Sequence, residues 1–436
     1  ELRDAGLLVE PRELRGEREL AWFHHVLEAP RDSIWLLWRT ATPDGKPLLR
    51  SPYLNDLLGL FPDAEVERAP LRAGQYYPAL SEAASRRDVF NSLLASGVSV
   101  PSFLVKEAVH VLRGSDIEKK RYSSAAFDVF DGVLESAEHK ERISAEYGAE
   151  HVFSATELED YRTCPFRFFA LRLLYLMEVQ RPDTAFDRRE LGIVVHRVLE
   201  DFHRRYAGVP VADIPAGEAT AVMRELVDEA FDGRKGALTT VPEGILAAER
   251  LSVHDRLQRY LTVEREDEER WRPVQFEAIF DEKDCSYPAL EIAMEEGRVR
   301  MRGRIDRIDE GENGYRVIDY KTGALPAAGN VKDGIALQLV AYALALECVI
   351  EPGRDCVEGA LWQVGTGNKL RVRDGGRSTK WAEAKEGFSV GLAAALRGIR
   401  EGWFPPTPQP NVCSFCDARR MCRIDSSRVE RKEGNL

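Results

Sequence analysis

The chain has 436 residues, 44% of them hydrophobic and 31% charged, which fits a soluble globular protein of two or three domains with a large core. A formal net charge of −12 excludes indiscriminate polyanion binding by the whole surface and leaves room for a locally basic groove. No apolar run reaches membrane-span length and no secretory signal opens the sequence, so the expectation is a cytoplasmic protein with no membrane contact.

The sequence starts at Glu1, without an initiator methionine, which raises the expectation of a piece of a longer protein. "GERELAWFHHVLEA" reads as a helix, and the apolar "SIWLLWRTA" as a buried strand followed by the turn "TPDGKP". Ser51 and Pro52 look like a helix start. No G-x-x-x-x-G-K-[ST] occurs, so the chain carries no P-loop for ATP. Residues 80 to 150 look helical and rich in charge. A new unit opens near "FSATELEDYRTCPFRFF", where Ser154 or Thr156 can cap a helix. In "RRELGIVVHRVLEDFHRRY", Leu191, Val194, Val195, Val198 and Phe202 form an apolar stripe, with His196 at its edge. Residues 207 to 270 read as helices ending in the acidic "EREDEER", most simply a solvated face. In "IALQLVAYALALE", Gln338 and Tyr342 are four apart and share a helix face. "GNKLRVRDGGR" looks like a basic hairpin, and "GWFPPTPQP" like a proline-stiffened arm.

Residues 301 to 323, "MRGRIDRIDEGENGYRVIDYKTG", carry the sharpest signal. Residues two apart in a strand share a face, so Asp319 and Lys321 look the same way, with Val317 and Tyr315 behind them. Arg298, Arg300, Arg302, Arg304 and Asp306 share one parity of the preceding strand. "EGENG" is a hairpin turn, and pairing the two strands brings Asp306 near Asp319. That would give two hard oxygen ligands for Mg²⁺ or Mn²⁺, an ammonium beside them and a stripe of arginines leading in. An isolated D-x-K is a short motif and taken alone describes an ordinary solvated hairpin.

Of seven cysteines, Cys413, Cys416 and Cys422 are spaced C-x₂-C-x₅-C, and Cys164 is the outstanding fourth partner. Four thiolates suit zinc or a [4Fe–4S] cluster about equally. Either would close a loop of about 250 residues, a constraint on the order of 5 kcal/mol in the chain-entropy picture. Cys285, Cys348 and Cys356 read as ordinary thiols in a reducing compartment.

Taken in order, "YRTCPFRFF", "LGIVVHRVLEDF", "GRIDRID", "VIDYKTG", "LQLVAYALAL" and "CSFCDARRMC" resemble the RecB-like branch of the PD-(D/E)XK nuclease superfamily in its iron–sulfur form. That form occurs in the AddB subunit of AddAB helicase–nucleases and in some CRISPR-associated exonucleases. The resemblance covers about residues 150 to 425. It implies an α/β fold with a restriction-endonuclease-like core, a mixed central sheet flanked by helices, plus helical insertions. Residues 1–150 would be a helicase-like, motor-inactive α/β segment with linker helices, 151–425 the nuclease domain, and 426–436 a tail. His196, Asp306, Asp319 and the carbonyl of Tyr320 would hold Mg²⁺ or Mn²⁺. Lys321 would serve the chemistry, while Gln338 and Tyr342 support the site and the DNA path. Cys164, Cys413, Cys416 and Cys422 would hold a [4Fe–4S] cluster, and Arg300, Arg302 and Arg304 would guide DNA. The implied function is metal-dependent DNA hydrolysis at ends, in break processing and recombination repair, with an AddA-type helicase partner. The alternatives are a non-cleaving DNA-end binding module, or a CRISPR- or RNA-related nuclease. The helical insertion after His196 has no assigned role.

Overall fold

The computed structural model describes residues 12–32, 34, 36–41, 46–61, 79–96, 105–123, 125–176, 188–233, 241–267, 269–282, 286–295, 297–374, 379–423 and 426–433. Two compact units emerge, Glu1–Ser115 and Asp116–Leu436. Helices α1 (Arg12–Glu28), α2 (Pro52–Gly59), α3 (Arg86–Ser96) and α4 (Val105–Ser123) come first. Ser51 and Pro52 do start a helix, since proline's fixed φ suits the first helical position. The strand expected in "SIWLLWRTA" does not form among the described residues, and Leu37 is 82% exposed there. An apolar run becomes a strand only where a ladder partner exists, and that neighbourhood offers just the isolated Ala41–Pro47 bridge. Most of "TPDGKP", and Cys285, lie outside the described residues.

The second unit is built on a seven-stranded mixed sheet: β1 (Val152–Ser154), β2 (Arg272–Phe280), β3 (Leu290–Met294), β4 (Gly297–Glu310), β5 (Tyr315–Lys321), β6 (Cys356–Gln363) and β7 (Lys369–Arg373). The long β4 is its spine. Its first half pairs with β1 in parallel and β3 in antiparallel, and its second half with β2 and β5, both antiparallel. A parallel β5–β6 pair and an antiparallel β6–β7 hairpin complete the sheet.

Helices cover both faces. On one lie α5 (Ala137–Glu146), α6 (Ala155–Thr163) and α7 (Pro165–Phe168), with α11 (Ala328–Lys332), α12 (Gln338–Ala345) and α13 (Trp381–Glu401) added from further along the chain. Leu158, Phe168, Met301, Val317, Leu339, Leu392 and Phe404 fill that core. The other face carries α8 (Arg188–Arg205), α9 (Ala216–Asp232) and α10 (Glu243–Arg265), with Val195, Phe202, Met223, Leu257, Ile318 and Trp362 between them and the sheet. Burying each such side chain contributes roughly 1.5–3 kcal/mol. The chain closes with α14 (Pro410–Cys413), α15 (Arg419–Cys422) and α16 (Ser426–Glu433).

Two details set the stage for the site. β4 loses its strict alternation, since both Ile305 and Ile308 enter the first core, while Arg307 turns to the α8–α10 side. β2 changes face at the same level: Ala278 enters the first core, and Phe276, paired with Arg307, lies against the His203 ring. Between them Glu277 adopts a φ of 51°, a left-handed backbone that costs a non-glycine residue about 1–3 kcal/mol. The acidic run that ends α10 is only partly a solvated face: Glu266 and Glu269 are exposed, but Glu264 and Asp267 are drawn inward to arginines of β4 and β5. The position of α12 depends on a close crossing in which Gly387 and Gly391 of α13 meet the backbone of Lys332 and Gly334. A Cβ on Gly391 would overlap the Gly334 carbonyl. Gly391→Ala is therefore expected to lower unfolding free energy by about 3 kcal/mol, read by urea denaturation, because backbone cannot rotate aside as a side chain can.

Candidate active site

Each functional side chain arrives for a local reason. The capping box of Ser154 and Glu157 starts α6, whose Glu159 then faces the beginning of α12. One Glu159 oxygen accepts the amides of Leu337 (2.7 Å) and Gln338 (2.9 Å), two of the unpaired donors at that helix end. Burial lifts the Glu159 pKa, against the pull of those amides and of Lys321. Held in this way, Gln338 donates to Asp319 Oδ1 (2.7 Å) and accepts from Lys321 Nζ (2.7 Å). Its amide also donates to Tyr342 OH at 2.8 Å, the four-residue helix spacing the sequence offers. Lys321 Nζ lies 2.6 Å from Asp319 Oδ2, an ion-pair contact on an oxygen that accepts no aligned hydrogen bond.

Across the hairpin, Asp306 Oδ2 accepts the Tyr320 amide at 2.7 Å, and Asp306 Oδ1 lies 3.3 Å from His196 Nδ1. The register that pairs Arg307 with Ile318 sets Asp306 opposite Asp319. His196 stands at the margin of α8, whose apolar stripe is buried as its spacing demands.

Sequence reasoning missed one residue. Among the described residues, ligand atoms of His196, Glu277 and Asp306 lie within 4.8 Å of one another, while Asp319 stands outside that tight group. No motif surrounds Glu277 in "RPVQFEAIFDE"; the left-handed turn of its backbone coincides with its place in the group. Burial and the charge of Asp306 push its carboxyl up to about 7. Burial and Asp306 likewise raise Asp319 to about 6, against Lys321 and His196. Burial opposes charge on His196 and Lys321, yet their carboxylate partners hold both pKa values above the ordinary range. Carboxylates crowded together in this way could hold a cation. Oxygens plus one imidazole fit Mg²⁺ or Mn²⁺. Beside Lys321 opens a cavity of about 290 Å³ lined by Thr163, Leu325, Asn330, Ile335 and Gln338.

The arginine row is not free. Arg298 faces Glu150 and Glu291, Arg300 pairs with Glu282, Arg302 lies 3.8 Å from Asp281, and Arg304 lies 2.8 Å from Glu277. Arg302 and Arg304 remain about half exposed, whereas Arg300 is mostly covered.

At the other end of α6, Cys164, Cys413, Cys416 and Cys422 line one cavity. Backbone amides point at two of the sulfurs, Thr407 to Cys164 at 3.4 Å and Gln409 to Cys413 at 3.3 Å. Burial and the neighbouring thiols push Cys422 up to about 12. Four converging thiols with amide donors aimed at them are a donor set that fits a tetrathiolate metal group. Arg121 fastens this lobe by donating to the Cys422 carbonyl at 2.8 Å, and buried Asp131 pairs with Arg428 and Lys432 of α16. Cys348 is exposed and Cys356 buried, both as free thiols.

Residues 152–423 match the profile of a family described as the PD-(D/E)XK nuclease superfamily. The chain belongs to that superfamily. The mixed sheet flanked by helices is the fold class the sequence led us to expect of a PD-(D/E)XK member. It is also similar to the B-type subunit of the ATP-dependent helicase/deoxyribonuclease of Symbiobacterium thermophilum, at 27% identity over 380 residues, 82% of this chain and 32% of that protein. Its namesake from Acetivibrio thermocellus is 31% identical over 226 residues, 48% of this chain and 19% of that protein. That from Desulforamulus reducens is 25% identical over 361 residues, 78% and 31% respectively. The chain thus spans about a third or less of the length of these relatives.

The Glu159 cap has a measurable consequence. Glu159→Ala is expected to cost about 1–2 kcal/mol in urea denaturation, and Glu159→Gln distinctly less, because its amide oxygen still accepts the two N–H groups.

Proposed function

We propose that this chain is the nuclease part of an AddB-like helicase–nuclease subunit, a Mg²⁺- or Mn²⁺-dependent deoxyribonuclease that hydrolyses phosphodiester bonds at DNA ends. The observation that carries the reading is the convergence of His196, Asp306, Asp319, Lys321 and Gln338 in a chain of the PD-(D/E)XK superfamily. His196, Asp306, Asp319, the Tyr320 carbonyl and, as the structure adds, Glu277 would hold the ion. A bound divalent ion supplies Lewis acidity at the phosphate and a lowered pKa for a ligated water. Lys321 stays protonated against Asp319, ready to orient the attacking water or to neutralise charge developing on the phosphate. Gln338 fixes Lys321 and Asp319 relative to each other, and Tyr342 fixes Gln338.

The same reading gives Cys164, Cys413, Cys416 and Cys422 to a [4Fe–4S] cluster. The shared cavity and the amides on sulfur support it, and the family resemblance favours iron–sulfur over zinc. It treats residues 1–150 as a helicase-like segment, 151–425 as the nuclease domain and 426–436 as a tail. The partner is an AddA-type motor that feeds a single strand to the site in double-strand break repair. The names of the relatives support a helicase association. No helix among the described residues is long and apolar enough to cross a membrane, and the reading places the chain in the cytoplasm. For DNA guidance, Arg302 and Arg304 are the better exposed of the row.

The deciding experiment follows end-labelled linear DNA, single- and double-stranded, and an RNA strand, with Mg²⁺ and anaerobically purified chain. Expected are loss of DNA label with the parent and a decrease of at least about 100-fold for Asp319→Asn and Lys321→Ala. DNA retained uncut by the parent, even with a motor protein added, would favour a gripping module, and preferential RNA cleavage a different substrate class. The cluster predicts a brown protein with broad visible absorption that Cys164→Ala loses; a colourless chain carrying stoichiometric zinc and no iron would remove it. If Arg302 touches a phosphate, Arg302→Ala flattens the slope of log affinity against log salt by about one. An unchanged slope takes Arg302 off the DNA path.

A further inference from the structure

Behind the candidate site, on the opposite side of the hairpin, lies a guanidinium that the reaction does not use. Arg307 follows Asp306 directly and is 1% exposed. Its Nε and Nη2 grip both oxygens of Asp309 at 2.7 Å, and Nη2 also donates to Glu264 at 2.6 Å. Nη1 gathers three further groups: His203 Nε2 at 2.8 Å, Tyr260 OH at 2.8 Å and Tyr320 OH at 2.9 Å.

The origin of those partners is what matters. His203 follows His196 by seven residues, two turns along the same helix. Tyr320 sits between Asp319 and Lys321 on β5, its side chain on the other face. Arg307 itself is the residue after Asp306 on β4. One side chain therefore ties together α8, β4 and β5, three of the four elements that carry the candidate ligands, each at a point next to its ligand or two turns from it. Tyr260 and Glu264, one turn apart on α10, come from the insertion after His196 that had no assigned role. Buried ion pairs are weak devices for stability, since well-packed apolar side chains often serve as well. Their hydrogen bonds are directional, though, and a planar fork of five donors fixes angles that an apolar contact leaves loose.

We propose that Arg307 is the positioning residue of this site. It sets the mutual placement of α8, β4 and β5, and hence of His196, Asp306 and Asp319; the α9–α10 insertion is the wall that supplies its partners Tyr260 and Glu264. This rests on the reading of those residues as a divalent-ion site. Groups that orient ligands without touching the ion commonly alter affinity tenfold to a hundredfold.

The test titrates the full chain with Mn²⁺ in the absence of DNA, following free Mn²⁺ by electron paramagnetic resonance, with circular dichroism as the check on folding. Parent, Arg307→Lys and Tyr320→Phe are compared; the last removes one hydroxyl and leaves the backbone carbonyl in place. The expected result is a folded Tyr320→Phe whose half-saturating Mn²⁺ rises about tenfold, with a larger rise for Arg307→Lys. In DNA cleavage kcat should fall while KM for DNA holds. A merely structural role would lower the melting temperature and leave half-saturation at the parent value, which would overturn the proposal. Should Arg307→Lys fail to fold, Tyr320→Phe decides alone. A folded parent that binds no Mn²⁺ would defeat the divalent-ion reading and this inference together, whereas a binding parent with unchanged variants defeats the inference only.

Discussion

The structure of this unit turns on the crowding of negative charge at one point. Glu277 and Asp306 present oxygens within 4.8 Å of each other, and Asp319 stands opposite Asp306 across the hairpin. Two carboxylates at that separation repel by about 3 kcal/mol at an effective dielectric of about 20. The raised pKa values of Glu277 and Asp319 express that repulsion together with burial. A protein keeps such an arrangement only if its surroundings hold it. Here Asp306 accepts the Tyr320 amide and Asp319 the Gln338 amide, while the charges of Lys321 and Arg304 lie against Asp319 and Glu277.

The parts of this arrangement that depend on local periodicity were legible in the sequence. Asp319 and Lys321 share a face because strand side chains alternate, and Gln338 reaches Tyr342 because helix neighbours recur every four residues. The stripe of α8 is buried as its spacing requires, leaving His196 at the edge. What escaped depends on partners remote in sequence. Glu277 joins the group at a backbone turn in a strand that its residues do not announce, since glutamate has no preference for a left-handed conformation. Glu264 and Asp267 look like part of a solvated acidic run until Arg307 and Arg316 arrive from strands about 40 to 50 residues further on. The arginine row reads as a free basic stripe because its carboxylates come from Glu150, Glu277, Asp281, Glu282 and Glu291, scattered over other segments.

Charge is therefore handled in two ways on the two sides of one hairpin. On the back, Arg307 and Arg316 both grip Asp309, Arg307 also pairs with Glu264, and Arg316 stacks over Trp271 at 4.8 Å. Charges of both signs meet there, and their directional hydrogen bonds fix the geometry of the network. On the front the carboxylates of Glu277, Asp306 and Asp319 outnumber Lys321 and Arg304, and the shortfall is what a cation can make good. The same two strands serve both, because alternate residues point opposite ways.

The cysteine lobe bears on this front side through one helix. Cys164 caps the C-terminal end of α6, and the remaining three thiols come from about 250 residues later, so a group bound by all four would tie α6 to the end of the unit. The same helix carries Glu159, which caps α12, and Arg162, which donates to the Gly334 carbonyl at 2.9 Å beside the crossing with α13. A shift of α6 would thus reach Gln338 through the two amides on Glu159, and through Gln338 both Asp319 and Lys321. Proline-stiffened chain between Phe404 and Pro410 delivers the late cysteines without regular structure, and beside them the Gln409 side-chain amide donates to the Thr163 carbonyl at the end of α6 at 3.2 Å. A group bound by the four thiols would thus be linked to the hydrogen bonds that order the candidate ligands by a stretch of α6 about five residues long, from Cys164 to Glu159.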